Sequence, residues 1–176
     1  MRILLISVLI FVFNSTFAAD SLVPNGNFET DTKGTGWPDG WGKNDGLSWE
    51  KDGAKHFMRL TANGQQVLLF RVVSLKPGLK ALDFKIRFRT NSIKTGTEKW
   101  HDARVVFHFL DAEEKALKPD PEPVVFPATS NDWEERTARL EVPEGSGMLQ
   151  IMPGLFNAQA GTLDLSEISI VPVEAP

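Results

Sequence analysis

Leu82-Asp83-Phe84-Lys85-Ile86-Arg87-Phe88-Arg89 alternates apolar and charged residues at every position. Side chains of a β-strand point to its two faces in turn, so this stretch reads as a strand with one face in a core and one charged face in water. The same period returns in Ala103, Val105, Phe107 and Phe109, with Arg104, Val106 and His108 on the other face. The stretch 65–75 is more continuously apolar and reads as a strand buried on both sides. Further strands are expected at 23–28, 41–49, 57–61, 133–142, 148–152 and 163–171, and helical periodicity is nearly absent.

Turn chemistry separates these runs: Asn25-Gly26, Pro38-Asp39-Gly40, Asp45-Gly46, Asn63-Gly64, Lys76-Pro77-Gly78 and Pro143-Glu144-Gly145. About eight or nine strands divided by such turns give an all-β, antiparallel β-sandwich, for which the jelly roll is one arrangement in two sheets. The stretch 111–117 tolerates about one or two turns of helix. It leads into Lys118-Pro119-Asp120-Pro121-Glu122-Pro123, whose alternate prolines favour an extended connection.

The 176 residues are 41% hydrophobic and 24% charged, enough for one domain with a real core. The absence of cysteine removes disulfides, thiolate metal sites and cysteine nucleophiles. A net charge of -4 argues against a nucleic-acid or other polyanion partner for the chain as a whole. The first segment is an address: Met1-Arg2, an apolar run at 3–13, then Asn14-Ser15-Thr16-Phe17-Ala18-Ala19. It has the form of a cleaved secretory signal peptide, 1–19. Its apolar run is shorter than the ~20 residues a membrane anchor needs. The expectation is a secreted or periplasmic single domain, 20–176, with no membrane insertion of the mature chain.

Signals for catalysis are weak. There is no Gly-x-Ser-x-Gly elbow, His56, His101 and His108 lack zinc spacing, and no glycine-rich phosphate loop follows a strand. Glu113-Glu114 and Glu134-Glu135 read as solvated surface charge: one pair sits in a loop and the other points to opposite faces of a strand. Five tryptophans in a chain with no tyrosine are more informative. An indole offers a flat apolar face that matches the C–H face of a sugar ring, and edge groups take the hydroxyls. Trp41, Trp49 and Trp133 lie on or beside strands and read as core. Trp100 lies in Thr97-Glu98-Lys99-Trp100-His101-Asp102-Ala103-Arg104, a polar loop-to-strand junction of the kind that carries function. Trp37, on Gly36-Trp37-Pro38-Asp39-Gly40, is the next candidate. Lys85, Arg87 and Arg89 form a cationic stripe that is either a solvated sheet face or, if the sheet curves, the floor of a cleft.

Leu22-Val23-Pro24-Asn25-Gly26-Asn27-Phe28-Glu29 resembles the opening motif of the carbohydrate-binding modules of families four, nine and twenty-two. Gly36-Trp37-Pro38-Asp39-Gly40-Trp41 is similar to the tryptophan-bearing segment that follows it. Asn131-Asp132-Trp133-Glu134-Glu135 resembles the late segment before a strand. Gly161-Thr162-Leu163-Asp164-Leu165-Ser166-Glu167-Ile168-Ser169-Ile170 is similar to the closing strand. The resemblance implies a galactose-binding-like jelly roll, not an enzyme, exported by bacteria that degrade polysaccharides. It also implies one structural calcium between the first and last strands, held by the Gly26 carbonyl and the Glu29 carboxylate. Where the family has Asp-Asp, this chain has Ser166-Glu167, so Glu167 or Asp164 stands in for the usual aspartate.

The expected function is therefore binding of a polysaccharide or oligosaccharide. Trp100 would stack on a sugar ring, with His101, Asp102, Arg104 and Arg87 bonding hydroxyls or an acidic group and Trp37 as a further contact. Modules of this type are commonly fused to a catalytic domain; here a separate glycoside hydrolase would be the partner. The alternative is a β-sandwich that docks a protein or cell-envelope component through an exposed apolar patch.

Overall fold

In a computed structural model, which describes residues 20–130 and 132–173, the alternation of 82–89 is carried through as the first part of a 14-residue strand. The expected signal segment 1–19 falls outside the described residues. In chain order the strands are β1 (Leu47–Asp52), β2 (Lys55–Thr61), β3 (Val67–Leu68), β4 (Arg71–Ser74), β5 (Ala81–Lys94), β6 (Ala103–Leu110), β7 (Val124–Val125), β8 (Glu134–Glu141), β9 (Met148–Leu155) and β10 (Ala160–Val173). One sheet has the order β1-β2-β10-β5-β8. The other has the order β3-β9-β6-β7, with β4 beside β3 on the same edge of β9. Neighbouring strands are antiparallel throughout, and no helix occurs among the described residues. The architecture is the all-β sandwich that the alternation predicts.

The alternation also fixes what lies between the sheets. Leu82, Phe84, Ile86 and Phe88 of β5 are fully buried, as are Val105, Phe107 and Phe109 of β6. Phe84 meets Phe107 edge-on at 4.9 Å and Phe88 meets Phe126 at 4.4 Å, so aromatic pairs tie one sheet to the other. Each such fully buried side chain contributes about 1.5–3 kcal/mol relative to exposure. β5 and β10 run side by side along their whole lengths, and a β-bulge at Ser166 separates the pair Leu165–Phe88 from Glu167–Arg87.

Four expectations need correction. The stretch 23–28 is a turn, with Asn25 and Phe28 both at positive φ. Its backbone is committed elsewhere: Leu22 N–H donates to Ile170 and Ile168 N–H donates to the Gly26 carbonyl, which pins the turn onto β10. Gly26 passes so close to Ile168 that any Cβ would collide with its carbonyl oxygen. Within 41–49, the strand begins only at Leu47. The apolar run 65–75 is two short edge strands, β3 and β4, rather than one strand buried on both sides: Leu69 and Val73 face inward while Phe70 and Val72 face water. Trp133 is not core. It precedes β8 in the register that points outward, and donates its Nε1–H to Asp52 at 3.2 Å. The stretch 111–117 is a turn with no helix, and Glu113 and Glu114 on it are exposed, as expected.

Two of the recognised motifs are knitted together by Asn25. Its side chain bonds the carbonyls of Thr30 and Asp39 and accepts from Thr30 N–H, while its own carbonyl accepts the Trp41 indole N–H at 2.9 Å. Trp41 is buried against Phe28, and the partly buried Trp49 donates to the Phe28 carbonyl.

Candidate functional site

Alternation leaves each sheet with an outward face, and the two faces differ in kind. On the face of the β3-β9-β6-β7 sheet, the register sets Leu68, Gly154, Arg104 and Val125 in one row and Val72, Gln150 and His108 in another, with Met152 paired to Val106 between them. Leu68 lies across Gly154, where a Cβ would strike it, so the glycine keeps this row low. The large hydrophobics most exposed among the described residues are Phe70 (45%), Val72 (38%), Trp100 (46%) and Val125 (48%), and all four belong to this face or to the loop beside it. Polar groups are interleaved with them. His108 Nδ1 lies 2.8 Å from Asp120 Oδ1. Burial alone would raise the Asp120 carboxyl pKa, but its bonds to Lys118 and His108 hold it below the usual value.

The Trp100 segment joins this face at the start of β6. Arg104 grips Asp102 with Nε and Nη2, at 2.5 and 2.7 Å, and its Nη2 also reaches the Lys99 carbonyl at 3.4 Å, which ties the loop to the outer row. That bond to Asp102 raises the Arg104 pKa against the opposing effect of burial. The Trp100 ring stands edge-on to His101 at 4.1 Å. His101 is held by Glu98 N–H on Nδ1 and by Asn157 beside Nε2. Four of the residues expected at a site are thus brought together: Trp100, His101, Asp102 and Arg104.

Two are not. Trp37 is partly buried in the loop above β4, with its indole N–H donated to the Trp41 carbonyl at 2.9 Å, so one edge is already committed. Arg87 leaves β5 on the opposite side of the sandwich from Arg104. The sequence reading missed Phe70, Val72, Gln150 and Met152. For Val72 the signal was present but hidden, because a strand exposing apolar residues looks the same as a strand buried on both sides.

The face of the other sheet is charged. Asp164 is only 2% exposed, and its carboxylate accepts from Arg59 Nε and Nη2 at 2.7 and 2.8 Å and from Arg89 Nε and Nη2 at 3.2 and 3.0 Å. The bond to Asp164 raises the Arg59 pKa. Phe57 is buried beneath Arg59, Arg89 and Trp133. Glu167 pairs with Lys85 at 2.9 Å. Glu29 accepts from His56 N–H and lies 2.8 Å from His56 Nδ1, and His56 in turn stacks on Trp49 at 4.1 Å.

These partners decide how well the residues fit a calcium ion. Calcium needs about six to eight oxygen donors. Here both Asp164 oxygens face guanidinium groups, Glu29 serves His56, Glu167 serves Lys85, and the Gly26 carbonyl accepts from Ile168. Among the described residues, no three acidic or histidine side chains converge as a metal cluster. The donor set does not fit calcium: side chains of the chain itself already engage its carboxylates.

No family model matches the chain, and no curated protein matches it. Solved structures do. A family 16 carbohydrate-binding module superposes with a TM-score of 0.55 at 21% identity, over 86% of this chain and 99% of that one. The fold is that of the carbohydrate-binding modules. A family 4 module gives 0.55 at 14% identity, over 85% and 98%. A family 61 module solved with β-1,4-galactotriose gives 0.54 at 9% identity, over 88% and 100%. The enzymatically active domain of bacteriophage CBA120 tailspike protein 4 gives 0.62 at 14% identity, but this chain spans only 21% of its length. Among the described residues no helix is long and apolar enough to cross a membrane.

Proposed function

We propose that this domain is a non-catalytic module that binds a polysaccharide or oligosaccharide across the outer face of the β3-β9-β6-β7 sheet. The observation that carries the reading is that Phe70, Val72, Trp100 and Val125, exposed and apolar, are spread over this face and its bordering loop among polar groups that are already oriented. Sugar rings present apolar C–H faces and a rim of hydroxyls. The apolar side chains suit the first, while Gln150, His108 with Asp120, and Arg104 with Asp102 suit the second. The bidentate grip of Asp102 on Arg104 holds the guanidinium in place before a ligand arrives, which lowers the ordering entropy of binding. Trp100, half exposed at one end, is the stacking platform.

The solved modules of the same fold support sugar as the ligand class, and the signal-like segment 1–19 supports action outside the cytoplasm. Hydrolysis of the bound polymer is left to a separate glycoside hydrolase. Affinity electrophoresis of residues 20–176 through gels containing neutral and acidic polysaccharides tests the reading. Retardation by one or two polymers is expected. Uniform mobility across the panel contradicts it and transfers the exposed apolar face to a protein or cell-envelope partner.

A further inference from the structure

We infer a second binding site on the opposite sheet, for an anionic sugar unit, in a hollow of about 270 Å³ lined by Asp52, Lys55, His56, Phe57, Arg87, Trp133 and Ser166. A smaller hollow of about 120 Å³ adjoins it and shares Lys55, Arg87 and Ser166. Three features of this place are otherwise without purpose. The first is Arg87. On the same face Arg59, Arg89 and Lys85 each hold a carboxylate, whereas Arg87 has no ion pair and no hydrogen bond among the described residues. Its guanidinium lies over the Trp133 ring at 5.3 Å. The second is Lys55 across the hollow, likewise without a paired carboxylate among the described residues. The third is Ser166, the residue extruded at the β10 bulge. Its Oγ is buried and has no hydrogen-bond partner among the described residues. Bulges re-aim side chains, often beside sites, and an orphaned buried hydroxyl is destabilising unless something outside the chain satisfies it.

Two unpaired cations about a hydroxyl donor make a receptor for an oxyanion. The chain's own acids in the region do not fill that role: Glu29 is held by His56, Glu167 by Lys85, Asp52 by Arg89 and the Trp133 indole, and Glu135, across the strand pair from Arg87, makes no ion pair with it. The hollow falls just under the ~300–1,000 Å³ of sites for drug-sized ligands, which suits one sugar unit rather than a chain. The anion is the carboxylate of a uronic acid or the sulfate ester of a sulfated sugar. Both present oxygens that Arg87 can take bidentately while Lys55 supplies a point charge. The site lies on the other sheet from the polysaccharide face, while the assignment of a sugar as the carrier of the anion rests on the reading of the domain as a carbohydrate-binding module.

The test is calorimetric titration of the domain with D-galacturonate, with glucose 6-sulfate and with glucose at low salt. Binding of at least one acidic sugar, weakened at least tenfold by added 0.5 M NaCl and absent for glucose, is expected. Which of the two acids binds separates the carboxylate from the sulfate source. Arg87→Gln and Lys55→Met should each weaken binding about tenfold with the melting temperature retained, while Arg139→Gln, a cation of the same sheet outside the hollow, should leave it unchanged. No binding of either acid, or equal binding by all three variants, overturns the proposal.

Discussion

Arg87 and Arg104 leave the sandwich through opposite faces, one unpaired above Trp133 and the other locked to Asp102. Their environments differ accordingly. Arg104 sits among exposed apolar side chains and is oriented in advance, whereas Arg87 sits among charged groups with its hydrogen-bonding capacity unspent. One sandwich therefore offers two chemically distinct surfaces, and changes on one should leave the other intact.

Trp100→Ala removes the half-exposed platform of the first surface. An aromatic contact of this kind contributes about 0.5–1.5 kcal/mol, so affinity for the retarding polysaccharide should fall about two- to tenfold. The melting temperature should change little, because so much of the ring is already in water. Gel retardation and calorimetry on the variant measure both. Full affinity in a folded variant removes Trp100 from the site.

The sandwich was legible in the sequence because period-two alternation needs no tertiary information. Leu82 to Phe88 and Ala103 to Phe109 are buried at the positions that alternation assigns to the core. The cluster of Trp100, His101, Asp102 and Arg104 was also legible, since neighbours in sequence at a strand start stay neighbours in space. What was hidden depends on register between distant strands. Nothing in the string says that Val72 lies beside Gln150 and His108, or that Arg59 and Arg89 converge on Asp164 from two different strands. Trp133 misled for a related reason: it immediately precedes its strand, and a single residue of register decides between core and surface.

Asp164→Asn tests the clamp across β2, β10 and β5. The substitution replaces a carboxylate shared by two guanidinium groups with a neutral amide, leaving Arg59 without its ion-pair partner and Arg89 with Asp52 alone. Because the side chains of Arg59 and Arg89 are about a third exposed, water can take over part of their solvation. A loss of about 2 kcal/mol is expected, short of the 3–5 kcal/mol for a fully buried pair. For a domain of this size that lowers the melting temperature by roughly 4–8 °C. An unchanged melting curve would show that the clamp contributes nothing to stability.

Gly26→Ala should be more damaging than its size suggests. The added methyl meets the Ile168 carbonyl where the opening turn crosses β10, and the backbone on both sides is fixed by hydrogen bonds. Loss of at least about 2 kcal/mol is expected, with early proteolysis near the N-terminus as the local signature. Wild-type stability and protease resistance would place the turn elsewhere.

Acid should weaken the fold through Glu29 and Asp120. Burial alone would raise both carboxyl pKa values, but bonds to His56 in one case and to Lys118 and His108 in the other hold them below their ordinary values. A depressed folded-state pKa stabilises the protein above the unfolded-chain value and loses that contribution as pH falls through the folded one. Stability should therefore be level in this respect above about pH 5 and decline below about pH 4. Glu29→Gln should flatten part of that decline in thermal scans across pH 3–6. An identical slope in the variant would exclude Glu29 as a contributor.

The most direct test of the account is chemical-shift mapping of the isotope-labelled domain, residues 20–176, titrated with a neutral oligosaccharide from the neutral polymer that retards it most. Shifts concentrated at Val72, Trp100, Arg104, Val106 and Gln150, with Arg87 and Trp133 unmoved, are the result predicted. Shifts confined to the opposite sheet, or none at saturating oligosaccharide, would contradict the assignment of the binding face.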